Sequence, residues 1–336
     1  MRLSRYAAPG AALAVCAALA APPATAHPAL ASGVRTLPLA AEARELTPSD
    51  TTPFALIGVS WDDPAQAPAG VEVRTRSTAT GHWSAWRPLQ LDSEDRPDGP
   101  RGRGSTAPLW VGPSDGVALR VLGPRPAGLR AELVDPGRSP SHRSTTEQGI
   151  VTRAGWGADE SLREPELGYT GPVRVVFIHH TDTGNDYACS DAPALIRAIY
   201  QYHVKTNGWR DIGYNFLVDR CGTVYEGRAG GIDKPVLGAH TLGFNTDSAG
   251  IAALGTYVSA PVPQPQADAL ARTAAWKLAF AHQPPSGTAT LTSASDGSRY
   301  KKGTAVSFNA ISGHRDAFNT ECPGDVLYAA LPALRG

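Results

Sequence analysis

The sequence is poor in net charge and in cysteine, and past its first residues it has no long apolar run. Its 31 basic and 31 acidic side chains cancel over 336 residues. No basic block stands out, so a nucleic-acid partner is not expected. No later segment reaches the ~20 consecutive apolar residues of a spanning helix, so no stable membrane insertion is expected either. Only four cysteines occur, and each has to be accounted for.

What is present begins with an export signal. MRLSRYAAPGAALAVCAALAAPPATAHPA opens with Arg2 and Arg5, continues through Ala, Leu and Val, and closes on Ala24-Thr25-Ala26. This pattern predicts a signal peptide over 1–26 and a secreted or cell-wall-associated product. Leu13-Ala14-Val15-Cys16 faintly resembles a lipoprotein cleavage box, but Val15 is bulky for it and the apolar run continues past Cys16. Cleavage removes Cys16 and leaves Cys189, Cys221 and Cys322. In an oxidising compartment two of these can pair and one is left over.

The length after cleavage suggests two domains. Residues 27–50 give no clear signal and read as a flexible arm. From 51 to 136, short runs such as PFALIGVSW (53–61), GVEVRTRS (70–77), APLWVG (107–112), GVALRVLG (116–123) and GLRAELVD (128–135) are separated by turn signals. No helical period appears, so a small antiparallel sandwich-like or barrel domain is expected. Its Trp61, Trp83, Trp86 and Trp110 read either as core or as a sugar-stacking surface. Residues 137–149, GRSPSHRSTTEQG, read as a linker.

Beyond 150 the pattern changes to strands interspersed with helices, which predicts an α/β domain with a mixed sheet flanked by helices. VRVVFI (173–178) and AGIAALGTYV (249–258) read as buried strands, and YNFLVD with TVYE as a hairpin. SDAPALIRAIYQYHVKTNG (190–208) has helix signals at both ends, with Leu195, Ile196, Ile199 and Tyr202 toward one face. A second helix is expected over 267–283, packing through Leu270, Ala274 and Leu278, and a Gly/Ser/Thr-rich insertion follows (285–305).

His179 ends one predicted strand, His314 follows another, and Cys322 comes eight residues later ahead of Pro323-Gly324. Taken singly, a histidine at a strand end reads as a hydrogen-bonded surface residue. Two of them with a leftover cysteine read as a zinc donor set, and three protein ligands leave a fourth tetrahedral position for water. On spacing alone both readings stand.

FIHHT (177–181), GWRDIGYNFLVDRCGTVYEGR (208–228), GAHTLGFN (238–245) and GHRDAFNTECPG (313–324) occur in an order that resembles the peptidoglycan recognition protein family. Its catalytic members are zinc-dependent N-acetylmuramoyl-L-alanine amidases related to the T7 phage lysozyme. RAGWGA (153–158) resembles the segment that opens the family domain, so 150–336 is expected to be that domain. Residues 27–137 lie outside the resemblance, although secreted actinobacterial members often carry a strand-rich module there.

The resemblance implies His179, His314 and Cys322 as zinc ligands, Tyr214 as a catalytic tyrosine and peptidoglycan as the partner. It leaves His180 as a packed or substrate-facing residue. Members without the cysteine bind peptidoglycan without cutting it, so a non-catalytic binder is the alternative. Thr320 stands where phage relatives carry a lysine; it can hydrogen-bond but brings no charge. The strand reading GIAAL (250–254) lacks the glutamate of other relatives.

His240 and Asn245 match groove positions. Trp209 with Arg228 matches members that prefer diaminopimelate in the stem peptide, and an arginine fork can pair with its extra carboxylate. Cys189, ahead of the first helix, and Cys221, in the hairpin turn, are expected to bond to each other, since pairing either with Cys322 would destroy the metal site.

Overall fold

A computed structural model of the chain describes residues 33–40, 43–91, 98, 102–140 and 144–336. The expected signal peptide over 1–26 lies outside these residues, as do 27–32 and 41–42 of the expected arm. Seven strands come first: β1 (Gly33–Pro38), β2 (Glu45–Trp61), β3 (Gly70–Ser77), β4 (Arg87–Leu89), β5 (Gly104–Ser105), β6 (Leu109–Leu122) and β7 (Arg130–Asp135). They form one antiparallel sheet in the order β1-β7-β2-β6-β3-β4, with β5 on β2.

The all-β expectation holds for this accessory domain, but two details differ. Part of the expected flexible arm is strand: β1 pairs with β7, Gly33 opposite Asp135, and Arg35 donates to the Thr52 and Pro53 carbonyls at 2.6 and 2.7 Å. Six residues of mixed exposure carry too short a pattern to be read as a strand. The runs 107–112 and 116–123 read as two strands, yet β6 continues through the Pro113-Ser114-Asp115 between them. Its partner β2 is longer still, 17 residues against 14, and absorbs the irregularity as register shifts around Phe54.

Strand alternation gives the accessory sheet two apolar faces. Ile57 and Val59 face the domain's own core with Leu119 and Leu133, whereas Leu56, Val134 and Trp110 face the second domain. The tryptophans divide accordingly. Trp61 and Trp110 are buried, while Trp83 and Trp86 are half-buried beneath the guanidinium of Arg74, 5.3 and 5.0 Å from the ring centres.

The second domain contains α1 (Arg153–Trp156), β8 (Val175–His180), α2 (Ala192–Gln201), β9 (Phe216–Val218), β10 (Val224–Glu226), β11 (Ser248–Ala253), α3 (Gln264–Ala279), β12 (Thr288–Thr292), β13 (Ala305–Asn309), β14 (Ile311–Gly313) and α4 (Asp325–Leu334). Its central sheet runs β10-β9-β11-β8-β14, parallel except where β10 returns on β9, which is the expected mixed sheet. α3 and α4 cover one face through Leu270, Leu278, Leu327 and Leu331. The insertion forms the hairpin β12–β13, whose Leu291 and Phe308 pack with Phe177 and Phe244.

Helix α2 was expected to bury one face, but nearly all of it is buried. Leu195, Ile196, Ile199 and Tyr202 belong to one apolar cluster that also holds Leu56, Trp110 and Val134 of the accessory sheet. The helix lies between two sheets, so an apolar surface is needed all round. Arg197, also on α2, fixes the start of the linker by donating to the Pro136 carbonyl at 2.9 Å and the Ser139 hydroxyl at 2.9 Å. Cys189 and Cys221 are bonded, with Cα atoms 6.2 Å apart, tying the start of α2 to the β9–β10 turn. Closing such a loop stabilises by roughly 3–4 kcal/mol on the chain-entropy model.

Candidate metal centre

The end of β8 explains why only one of the adjacent histidines can join a ligand cluster. Successive side chains of a strand point to opposite faces. Val176 and Ile178 pack with α3 and α4, whereas Val175 and Phe177 pack on the other face, where the next alternate residue is His179. His180 turns the other way and accepts a hydrogen bond at Nδ1 from the Tyr257 amide at 3.2 Å.

β14 lies parallel to β8 with Gly313 opposite Ile178, so the next residue, His314, arrives beside His179. Their ring centres are 4.6 Å apart. Cys322 returns through a short turn in which the Arg315 amide donates to the Cys322 carbonyl at 3.1 Å and the Cys322 amide donates to Thr320 Oγ1 at 3.1 Å. Its sulfur lies 3.7 Å from His179 Nδ1 and accepts from the His180 amide at 3.4 Å.

One ligand atom from each of His179, His314 and Cys322 can be chosen so that all three lie within 4.8 Å of one another, and the three residues are buried. Two imidazoles and a thiol at that separation fit a zinc ion, and the count leaves one position for water or substrate. Cys189 and Cys221 are consumed by the disulfide, so Cys322 is the described cysteine that keeps a thiol.

The face of His179 turned away from Cys322 is also fixed. Its Nε2 lies 3.2 Å from His240 Nδ1 and 3.5 Å from Thr241 Oγ1. Asn245 Oδ1 accepts from the His240 and Thr241 amides at 2.8 and 3.0 Å, which sets the loop that presents them. His240, expected at a groove position, is fully buried, and its ring centre lies 5.2 Å from that of His179. A Cβ on Gly250 would lie 2.4 Å from the His240 ring, so glycine at that position of β11 makes room for it. This accounts for one feature of the GIAAL strand in local terms.

Tyr214 precedes β9, is buried, and has its ring centre 5.5 Å from that of His179. A cavity of about 40 Å³ reaches Cys322 between His180, Trp209, Tyr214 and Thr320. Trp209 rests on His203, ring centres 4.3 Å apart, and His203 Nδ1 accepts from the Gly213 amide at 3.2 Å just before Tyr214. His203 has no motif signal; it lies in the π-helical turn Tyr202–Thr206 that continues α2, where periodicity says nothing about which side it faces.

Arg228 lines a second cavity, of about 180 Å³, together with Asn245. Trp209 and Arg228, expected as a pair, thus line two different cavities. Burial pulls the Arg228 guanidinium below its ordinary pKa, and Asp211 opposes that shift.

Residues 169–325 match the family N-acetylmuramoyl-L-alanine amidase, and residues 14–148 match the family Rv3811 N-terminal galactose-binding domain-like. Peptidoglycan-recognition protein SC2 of Drosophila simulans is 34% identical over 182 residues, which is 53% of this chain and 82% of that protein. The chain belongs to the peptidoglycan-recognition protein family.

Peptidoglycan-recognition protein LE of Drosophila melanogaster is 40% identical over 121 residues, 36% of this chain and 33% of that protein. N-acetylmuramoyl-L-alanine amidase of Homo sapiens is 34% identical over 185 residues, 54% of this chain and 27% of that protein. The chain therefore spans about a third or less of the length of these two relatives. The residues that match the N-acetylmuramoyl-L-alanine amidase family, 169–325, include His179, His314 and Cys322.

Proposed function

We propose that this recognition protein is an exported zinc amidase that hydrolyses the bond between the lactyl group of N-acetylmuramic acid and the L-alanine of a diaminopimelate-type stem peptide. The observation that carries the reading is the convergence of His179, His314 and Cys322 within 4.8 Å beside Tyr214. Bound there, zinc supplies a Lewis acid for the amide carbonyl and an ionised water near neutral pH.

The chain's own residues supply the rest. Tyr214 can donate its phenol hydrogen bond to the oxyanion that develops at the scissile carbonyl, a contribution typically of about 10²–10³ in rate. Hydrogen bonding between His179 Nε2 and His240 Nδ1 leaves His179 Nδ1 directed at the metal position. Thr320 acts through Cys322, holding its amide so that the thiolate stays in place. In the larger cavity Arg228 is the candidate partner for the stem-peptide carboxylate.

The test is digestion of diaminopimelate-type muropeptides by the mature protein with and without a chelator, read by mass spectrometry. Free stem peptide should appear only when zinc is present. Binding without zinc-dependent release would leave a peptidoglycan-binding protein in place of an enzyme.

A further inference from the structure

The cavity that reaches Cys322 is not built by the second domain alone. Gln90, just after β4, and Ala107 and Pro108, between β5 and β6, also line it. We propose that this edge of the accessory domain is a fixed wall of the catalytic cleft, with Gln90, Ala107 and Pro108 as specificity-determining residues that favour soluble muropeptides over continuous glycan strands. The inference rests on the peptidoglycan reading of the site and adds to it which form of that substrate can enter.

Two sets of contacts hold the wall. The Ala107 amide donates to the Gln90 carbonyl at 2.9 Å, bracing the two wall segments against each other. Across the domain boundary, the Trp110 amide donates to the Thr183 carbonyl at 2.9 Å, three residues beyond His180, and the buried Tyr202 hydroxyl donates to the Thr106 carbonyl at 3.0 Å. Ser105 Oγ donates to Asn207 Oδ1 at 3.1 Å.

Behind these bonds lies the apolar cluster shared by Leu56, Trp110 and Val134 with helix α2. Contact there is so close that a Cβ on Gly58 would come within 2.3 Å of the Tyr202 hydroxyl. Moving the wall aside as a body would expose that cluster to water, so it behaves as part of the core and not as a removable cover.

What the wall leaves open is narrow. About 40 Å³ is room for only a few waters at the ~10–15 Å³ that each requires, and His179, His314 and Cys322 are 0%, 1% and 7% exposed. The contact that can yield is the bond from Gln90 Nε2 to Glu321 Oε2 at 3.3 Å, because both side chains are exposed. Displacing it opens a slot beside Cys322 without disturbing the backbone wall. Such a slot suits a slender muropeptide or a strand end, whereas a glycan continuing on both sides of the cleaved residue would meet the wall.

The experiment uses the full mature chain loaded with zinc. Binding of a soluble disaccharide tetrapeptide is measured by calorimetry, binding to intact sacculi by sedimentation, and hydrolysis of both is recorded alongside. The unaltered protein should favour the soluble ligand by at least about tenfold per stem. Ala107→Trp, which fills the mouth, should weaken muropeptide binding by more than about tenfold while zinc content and melting temperature are kept. Gln90→Ala, at an exposed position, should narrow the preference between the two ligands several-fold.

Unchanged muropeptide binding in Ala107→Trp, no binding of the soluble ligand by the unaltered protein, or equal preference for both ligands would each overturn the proposal. Should Ala107→Trp fail to fold, an unchanged preference in Gln90→Ala overturns it alone. If the binding pattern appears but nothing is hydrolysed, the wall stands and the amidase reading falls.

Discussion

The accessory sheet and the sheet of the recognition domain are both well buried, but they bury different chemistry. Glu132 is the one buried charged side chain of the accessory domain among the described residues, and it is satisfied by Ser60 and Thr36 at 2.6 and 2.7 Å. The recognition domain buries Arg153, Arg197, Asp211, Asp219, Lys277 and five histidines. Burying a polar group costs free energy unless it is partnered, so a domain that buries many is committed to a specific network. One sheet is a packing scaffold; in the other, several buried polar groups hold the strand-end cluster.

The largest expected effect breaks the second sheet's chemistry and leaves the scaffold intact. Cys322→Ala is expected to abolish cleavage of muropeptides while glycan binding persists, because it removes one of the three proposed metal donors. Retained turnover in the purified variant would refute the ligand assignment.

The converse substitution lies in the accessory core. Leu119 is fully buried there, so Leu119→Ala should lower stability by about 2–5 kcal/mol in denaturant unfolding. Zinc stoichiometry of the folded fraction should not change. Loss of zinc from protein that remains folded would show that the two sheets are not separable in this way.

These two regions also differed in how far the sequence could be read. His179, His314 and Cys322 were legible because each sits in a short motif tied to a strand end or a turn, where local spacing and spatial proximity coincide. The mixed sheet and the disulfide followed from periodicity and from the resemblance. His240 was legible as a residue of interest but not in its direction: the bonds to Asn245 and the room left by Gly250 place its ring beside His179. The accessory wall had no local signal, since Gln90 and Ala107-Pro108 reach Cys322 only through a domain contact far apart in sequence. The packing of α2 on both sides was hidden for the same reason.

A smaller effect sharpens the claim that buried polar groups of the recognition domain support the site. Gly250→Ala would place a methyl group 2.4 Å from the His240 ring and push it against His179. Zinc affinity, measured by competition with a chelator, should fall about 10–100-fold, the usual range for losing a partner behind a metal-binding histidine, with the fold retained by circular dichroism. Unchanged affinity would mean that His240 merely fills space.

Lys277 tests whether the polar burial of this domain extends beyond the chemistry. It is 2% exposed on α3, and its ammonium donates to the Ile232 and Lys234 carbonyls at 2.8 and 2.5 Å. Burial pulls its pKa from 10.5 down to about 8, against the opposing charge of Asp233. The unfolded chain therefore holds this proton more tightly than the folded one, and stability should rise with pH between about 8 and 10.5. The contribution is fully present above the unfolded value and is lost as pH falls through the folded one. Against Lys277→Met, which has no proton to lose, the wild type should gain about 1–2 kcal/mol between about pH 7.5 and 9.5 in denaturant unfolding. A difference that does not vary with pH would mean that the two carbonyl bonds keep the ammonium charged at its ordinary value, and that this buried charge is as well satisfied as the partnered groups around His179.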